Sequence, residues 1–307
     1  MRTRDIVPLL KETFASWRED KAPRLAAALA YYTVFSIAPL VIITIAVAGF
    51  FLGPEAASGQ IQREIQHTLG PQSASAINDI VENAARNKGH GVVATVIGIA
   101  ALLLGAAGVF GQLKDALNTV WGVEPNPERG FKGAVIDNFL SMSMVLGIGF
   151  LLLVSLVLSA GIAGFVKFAG ALLPALTWLG PILDLVLSAG LTTVLFALIY
   201  RVLPDAQIQW RDVWVGAFIT AVLFTVGKFL IGLYLGRSSV GSAYGAAGSL
   251  VVLLLWVYYS AQLLLFGAEF TKVYALKLGS RIVPEDGAVV VTREARAEQG
   301  MPERRAA

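Results

Sequence analysis

Two charges embedded in apolar sequence are the first residues that call for a chemical explanation. Asp184 is the single charge in the run from Leu179 to Tyr200, and Lys228 the single charge in the run from Val213 to Gly236. If the two runs are consecutive antiparallel helices crossing a bilayer, the charges lie about 8 and 12 Å from the same end at helical rise. An unpaired carboxylate or ammonium at that depth costs several kcal/mol, so an ion pair facing the bundle interior or a wet cavity is one economical arrangement. The other lets the lysine snorkel outward and leaves the aspartate at the headgroup boundary.

A second set of polar side chains shares helical faces within apolar runs. Tyr258, Tyr259 and Gln262 fall three and four residues apart, with Trp256 beside them, and Glu269 follows just before Lys272. Tyr31, Tyr32, Thr33 and Ser36 recur in another run, where Pro39 removes the amide that would pair with the Phe35 carbonyl and favours a bend. These groups suit either polar packing between helices or the lining of a cavity or substrate path. The candidates for such a path are Tyr31, Tyr32, Ser36, Pro39, Asp184, Lys228, Tyr258, Tyr259, Gln262 and Glu269.

Enzyme chemistry finds little support. The chain has no cysteine, which removes thiolate catalysis, thiolate metal sites and disulfides. Its two histidines, His67 and His90, stand without a His-Glu-x-x-His pattern, and a cluster with Asp79 and Glu82 is better read as scattered helix-surface polarity. No Gly-x-Ser-x-Gly elbow accompanies the serines, and no phosphate-binding glycine loop ends in Lys-Ser/Thr. The expectation is no catalytic residue, no metal and no cofactor. A nuclease would need paired carboxylates beside phosphate-binding bases on a nucleic-acid-binding fold, so nucleic acid is not an expected partner.

The elements that must position these residues are membrane helices. Of 307 residues, 56% are hydrophobic and only 15% charged, and mean hydropathy is +0.69. One buried core does not account for that; a bilayer as solvent does. Runs at Leu25–Leu52, Gly91–Leu113, Asn138–Val166, Leu179–Tyr200, Val213–Gly236 and Ser238–Ala268 each accommodate one span, predicting an all-α protein with six transmembrane helices. Of the 24 Lys and Arg, 18 fall in the two tails and the second and fourth loops, and five in the first, third and fifth loops. The positive-inside tendency therefore puts both termini in the cytoplasm.

Residues 1–24 form an amphipathic segment, with Leu10, Phe14 and Trp17 on one face and Lys11 and Arg18 beside them, suited to the cytoplasmic interface or to a plain polar lead-in. The membrane domain covers 25–271, and its external loop 53–90 holds two short helices. Ile61, Ile65 and Leu69 face one way on the first, and Ile77, Ile80, Val81 and Ala84 on the second. The small-residue segment Gly236–Ser249 reads as a flexible external loop. Residues 272–307 read as a cytoplasmic tail, largely disordered from about Pro284, because three valines alone make a marginal strand.

Taken together, several strings resemble the YihY/virulence factor BrkB family of bacterial inner-membrane proteins. They are RLAAALAYYTVFSIAP (Arg24–Pro39), FGQLKDALNTVWGV (Phe110–Val123), the stretch Arg201–Asp212, and YGAAGSLVVLLLWVYYSAQLLLFGAEFTKVY (Tyr244–Tyr274), with coverage from about residue 5 to 280. The resemblance implies a six-span inner-membrane fold with cytoplasmic termini and brings no established catalytic set. The family has also carried a ribonuclease BN label, for which this chain lacks the residues. It directs attention to Arg24, Asn118, Trp121, Gly122, Tyr244, Gly245, Trp256 and Gly267 besides the candidates above. The function expected is a transporter or lipid-handling protein, with a structural or assembly role in the envelope as the alternative. Expected partners are membrane lipids, an amphipathic substrate, and a second copy or an envelope protein.

Overall fold

The computed structural model describes residues 3–53, 108–126, 179–237 and 248–302, together with parts of 55–82. The fold is largely α-helical. In chain order the elements are α1 (Thr3–Glu19), α2 (Ala22–Leu52), α3 (108–121), β1 (Val123–Pro125), α4 (Leu179–Val202), β2 (Ala206–Gln207), α5 (Trp210–Arg237), α6 (Gly248–Leu278), β3 (Val283–Pro284), β4 (Ala288–Val290) and α7 (Arg293–Glu298). Residues 91–107 of the expected second span, the expected third span, and residues 238–247, which contain Tyr244 and Gly245, lie outside the described residues.

Helix α6 is the centre of the bundle, packing on α5, α2 and α1, while α4 packs on α5. Small residues set the closest crossing. Thr271 of α6 sits over Gly216 of α5, and Thr220 of α5 sits over Gly267 of α6, so that a Cβ on either glycine would fall inside the facing threonine. The two Gly-x-x-x-Thr pairs interlock reciprocally, as small-residue interfaces do where lipid supplies no drive for helices to associate. Each threonine hydroxyl donates back to its own helix, Thr220 to the Gly216 carbonyl and Thr271 to the Gly267 carbonyl, both at 2.7 Å. Neither hydroxyl is left as an unsatisfied buried donor. Tyr200 of α4 closes the crossing, donating to the Leu264 carbonyl at 2.7 Å and lying 3.1 Å from Thr220 Oγ1.

The main core joins Ala26 and Leu29 of α2, Leu117 and Trp121 of α3, Phe196 and Tyr200 of α4, Ala217 of α5 and Leu265 of α6. A smaller cluster brings Ile77, with Ile65 and Val81, against Leu253 and Val257 of α6 and Ile37 and Val41 of α2. Ile65, Ile77 and Val81 of the 53–90 segment therefore pack against the bundle.

The outer face of α5 is apolar from end to end. Trp210, Trp214, Phe218, Val222, Val226, Phe229, Leu230, Leu233 and Tyr234 are all exposed, a stripe of about 36 Å at helical rise and comparable to the roughly 30 Å of a bilayer core. Among the described residues two helices, Trp210–Tyr234 and Gly248–Leu278, are long and apolar enough to cross a membrane. Trp210 and Trp214 at one end of the stripe and Tyr234 at the other occupy the positions of interfacial aromatics.

The C-terminal segment departs from the expectation of a disordered tail. Val290 and Val289 pair antiparallel with Val123 and Glu124, and Ala206–Gln207 pair with Val283–Pro284. Gly122, in the left-handed region at φ 73°, turns the chain out of α3; its carbonyl then accepts from the Val291 amide at 3.0 Å. Thr292 caps α7 by accepting from the Ala295 amide at 3.1 Å. The valines are not an isolated strand because their partner is the loop after α3, far away in sequence.

Candidate functional site

The polar chemistry of the described residues gathers at one end of the bundle, where α1, α2, α3 and the C-terminal segment meet. Its deepest part is a four-member charge network. Lys272 Nζ lies 2.7 Å from Asp20 Oδ2 and 2.5 Å from Glu269 Oε2, and Arg296 reaches the other oxygen of Asp20 at 2.7 Å. All four residues are at most 5% exposed, Glu269 not at all. Neither Glu269 oxygen receives a hydrogen bond of good geometry, and its close partner in this buried setting is Lys272. Two carboxyl groups face two cations, an arrangement that makes burying such charge tolerable.

A second network lies beside it. Asn118 Nδ2 donates to Asp205 Oδ2 at 2.9 Å and Asn118 Oδ1 accepts from the Asp205 amide at 2.8 Å, while Lys114 Nζ lies 3.0 Å from Asp205 Oδ1. This closes α3 onto the turn after α4. Replacing Asn118 with leucine leaves a buried amide and a carboxylate oxygen short of partners, and is expected to destabilise the fold by about 1–3 kcal/mol in detergent unfolding. A third clamp ties the start of α5 to the end of α6: Asp212 Oδ2 accepts from the backbone and the hydroxyl of Ser280 at 2.7 and 2.8 Å.

Between the first two networks opens a polar cavity of about 370 Å³. Arg24, Asp115, Asn118, Glu124, Arg296 and Gln299 supply its polar lining, and the C-terminal segment forms one wall through Val291, Gln299 and Met301. Arg24 bridges toward that wall, donating to the Gln299 carbonyl at 3.4 Å. Partial burial lifts the Asp115 carboxyl above its ordinary value, Lys114 opposing the shift and Asp205 adding to it. The cavity thus presents fixed charge of both signs to whatever occupies it.

Of the residues singled out in the sequence, Glu269 belongs to this region. Its partner is the nearby Lys272, with Asp20 and Arg296 completing a network that no local pattern announced. Ser36 is buried, whereas Tyr31 and Tyr32 are exposed on α2, Tyr31 60% so, with the Tyr31 ring 4.9 Å from that of Phe35. Tyr258 packs against the main core. The Tyr259 ring lies against Gly227 at the α5–α6 crossing, and Gln262 is half-buried on α6. Pro39 lies within α2, whose helix is assigned continuously through it, and Lys228 is half-buried on α5. Asp184 lies on α4 but its side chain is outside the described atoms, as are His67 and His90. The candidates are therefore not brought together into one described cavity. Among the described residues, no group of three or more His, Asp and Glu has the arrangement of a metal site.

Helices of membrane-crossing length, with a buried charge network at one end of α6, mark a membrane protein, and comparison with known proteins gives its family. The family model for virulence factor BrkB matches residues 13–288, and the chain belongs to that family. It is 27% identical to a UPF0761 membrane protein of Alteromonas mediterranea over 274 residues, 87% of this chain and 89% of the relative. It is 29% identical to one from Pseudomonas paraeruginosa over 258 residues, 81% of this chain but 58% of that longer protein. A Halorhodospira halophila relative is 28% identical over 83% of this chain and 54% of its own length. No solved structure matches significantly.

Proposed function

We propose that this protein is a six-span component of the bacterial inner membrane, with both termini in the cytoplasm, that transports or handles an amphipathic substrate of lipid-like character. The observation that carries the reading is the cavity of about 370 Å³ lined by Arg24, Asp115, Glu124 and Arg296 at one end of the apolar helices. A mixed-charge chamber joined to a hydrocarbon-facing bundle suits a molecule with a polar head and an apolar body. The Asp184 and Lys228 pair, at matched depth near the other end of α4 and α5, is proposed as a second polar station along the path.

The test is flux in proteoliposomes across a panel of fluorescent lipids and amphipathic solutes, with wild type compared with Arg24→Gln and Asp184→Asn. Movement of at least one class by wild type, reduced about tenfold or more in a folded variant, is the expected outcome; such a loss corresponds to about 1.4 kcal/mol of barrier. A correctly oriented wild type that leaves the whole panel unmoved contradicts the reading.

The alternative is a scaffold for envelope assembly, and the exposed Tyr31, Tyr32 and Phe35 on α2 favour it, because a large aromatic ridge suits a contact with another helix or a second copy. Crosslinking from Phe35 that recovers one stable protein partner, in cells where flux-dead variants keep their function, would decide for it.

A further inference from the structure

Helix α1 docks on the bundle by one face and leaves the other apolar. Leu9 packs with Phe270 and Val273 of α6, and Thr13 and Asp20 are buried on the same side. On the outer side Val7, Leu10 and Phe14 stand 58%, 43% and 51% exposed, at the three- and four-residue spacing of a single helical stripe. Lys11 and Arg18 are exposed beside that stripe. A helix fixed to a protein by one face and apolar on the other, with cations along its flank, has the construction of one that lies in a membrane interface.

The stripe runs into a shallow groove of about 490 Å³ at the corner between α1 and α2. Phe14, Trp17 and Pro23 form its apolar part, and Arg18, Lys21 and Arg24 its charged rim. The Phe14 and Trp17 rings stack with centroids 5.7 Å apart, making a flat apolar floor. Lys21 is the one described non-glycine residue at positive φ, 50°, a conformation unfavourable for a lysine and sustained here by the tight α1–α2 turn.

From this juxtaposition we infer that the α1–α2 corner is a binding site for an anionic phospholipid of the adjoining leaflet, its phosphate held by Arg18, Lys21 and Arg24 and the start of its acyl chains lying on Phe14, Trp17 and Pro23. Three cations around an apolar floor match a ligand that is anionic at one end and hydrocarbon at the other. A zwitterionic lipid brings its own cation to the same rim, and free phosphate makes no use of the floor. The inference goes beyond the transport reading and does not rest on it, since a lipid held at this corner would orient a scaffold as well as a transporter.

The test is equilibrium titration of the purified full-length protein in neutral detergent with short-chain phosphatidylglycerol, the matching phosphatidylcholine, and glycerol phosphate. Saturable binding of phosphatidylglycerol is expected, weakened about tenfold or more in Arg18→Gln/Lys21→Asn, with phosphatidylcholine much weaker and glycerol phosphate silent. Asparagine is chosen at position 21 because it tolerates positive φ. Each variant is first shown to keep the wild-type melting temperature without lipid; if the double variant does not, Arg18→Gln alone, at an exposed side chain, carries the comparison. Equal affinity for the two lipids, an equal response to glycerol phosphate, or wild-type affinity in the folded variant would each overturn the inference. No flux is measured, so its failure is separable from failure of the transport reading.

Discussion

Replacing Asp20 with alanine is expected to destabilise the folded protein by about 3–5 kcal/mol, as removing one partner from a buried ion network does. Asp20 is 1% exposed and binds both Lys272 and Arg296. Its loss strands the Arg296 guanidinium without a carboxylate and leaves Lys272 to Glu269 alone. The C-terminal segment should loosen first, because Arg296 fastens it to the bundle. The measurement is chemical unfolding in detergent, with hydrogen exchange over residues 288–300 as a local reading. The double substitution Asp20→Ala/Arg296→Met should recover part of the loss by removing the stranded cation as well. Glu12 provides the contrast: its pair with Lys277 is about two-fifths exposed on both sides, so Glu12→Ala is expected to cost less than about 1 kcal/mol. Equal effects at the two sites would show that burial does not strengthen the Asp20 network.

Gly267→Val is the second large effect. A side chain at this position occupies the volume of the Thr220 hydroxyl and approaches the Tyr200 oxygen, and neither neighbour can retreat, because both are buried at the meeting of α4, α5 and α6. Overpacking of this kind costs about 1–3 kcal/mol or more, here by spreading the α5–α6 crossing and breaking the bond from Tyr200 to the Leu264 carbonyl. Gly216→Val should behave alike through Thr271, since the crossing is reciprocal. A compensating pair, Gly267→Ala with Thr220→Gly, returns space to the crossing and should restore much of the stability. Retention of wild-type stability by Gly267→Val would mean that the helices are not in such close contact.

The helices were legible because hydrocarbon imposes a pattern that can be read locally. The runs Leu25–Leu52, Leu179–Tyr200 and Val213–Gly236 differ by only a few residues from α2, α4 and α5. Helix α6 extends to Leu278, ten residues past its uncharged run, because α1 covers Glu269 and Lys272 and makes charges compatible with burial. The interlocking glycines were also within reach, since Gly216 and Thr220, like Gly267 and Thr271, form small-x-x-x-small pairs. The polar site was not. Asp20 meets Lys272 and Arg296 across 252 and 276 residues of sequence, and nothing in the neighbourhood of any of them marks the others. The folded tail was missed for the same reason: Val289 and Val290 look marginal until β1 is placed beside them.

The sidedness of the bundle decides which compartment the polar cavity faces, and the absence of cysteine allows a direct measurement of it. Single cysteines placed at the exposed positions Gln62 and Lys11 should react oppositely with a membrane-impermeant maleimide applied to spheroplasts. Gln62→Cys is expected to label at once in intact spheroplasts, and Lys11→Cys, together with Gln299→Cys on the cavity wall, only after the membrane is permeabilised. Labelling of Lys11→Cys in sealed spheroplasts, or protection of Gln62→Cys until permeabilisation, would contradict the six-span arrangement with cytoplasmic termini and place the polar cavity on the other side of the membrane.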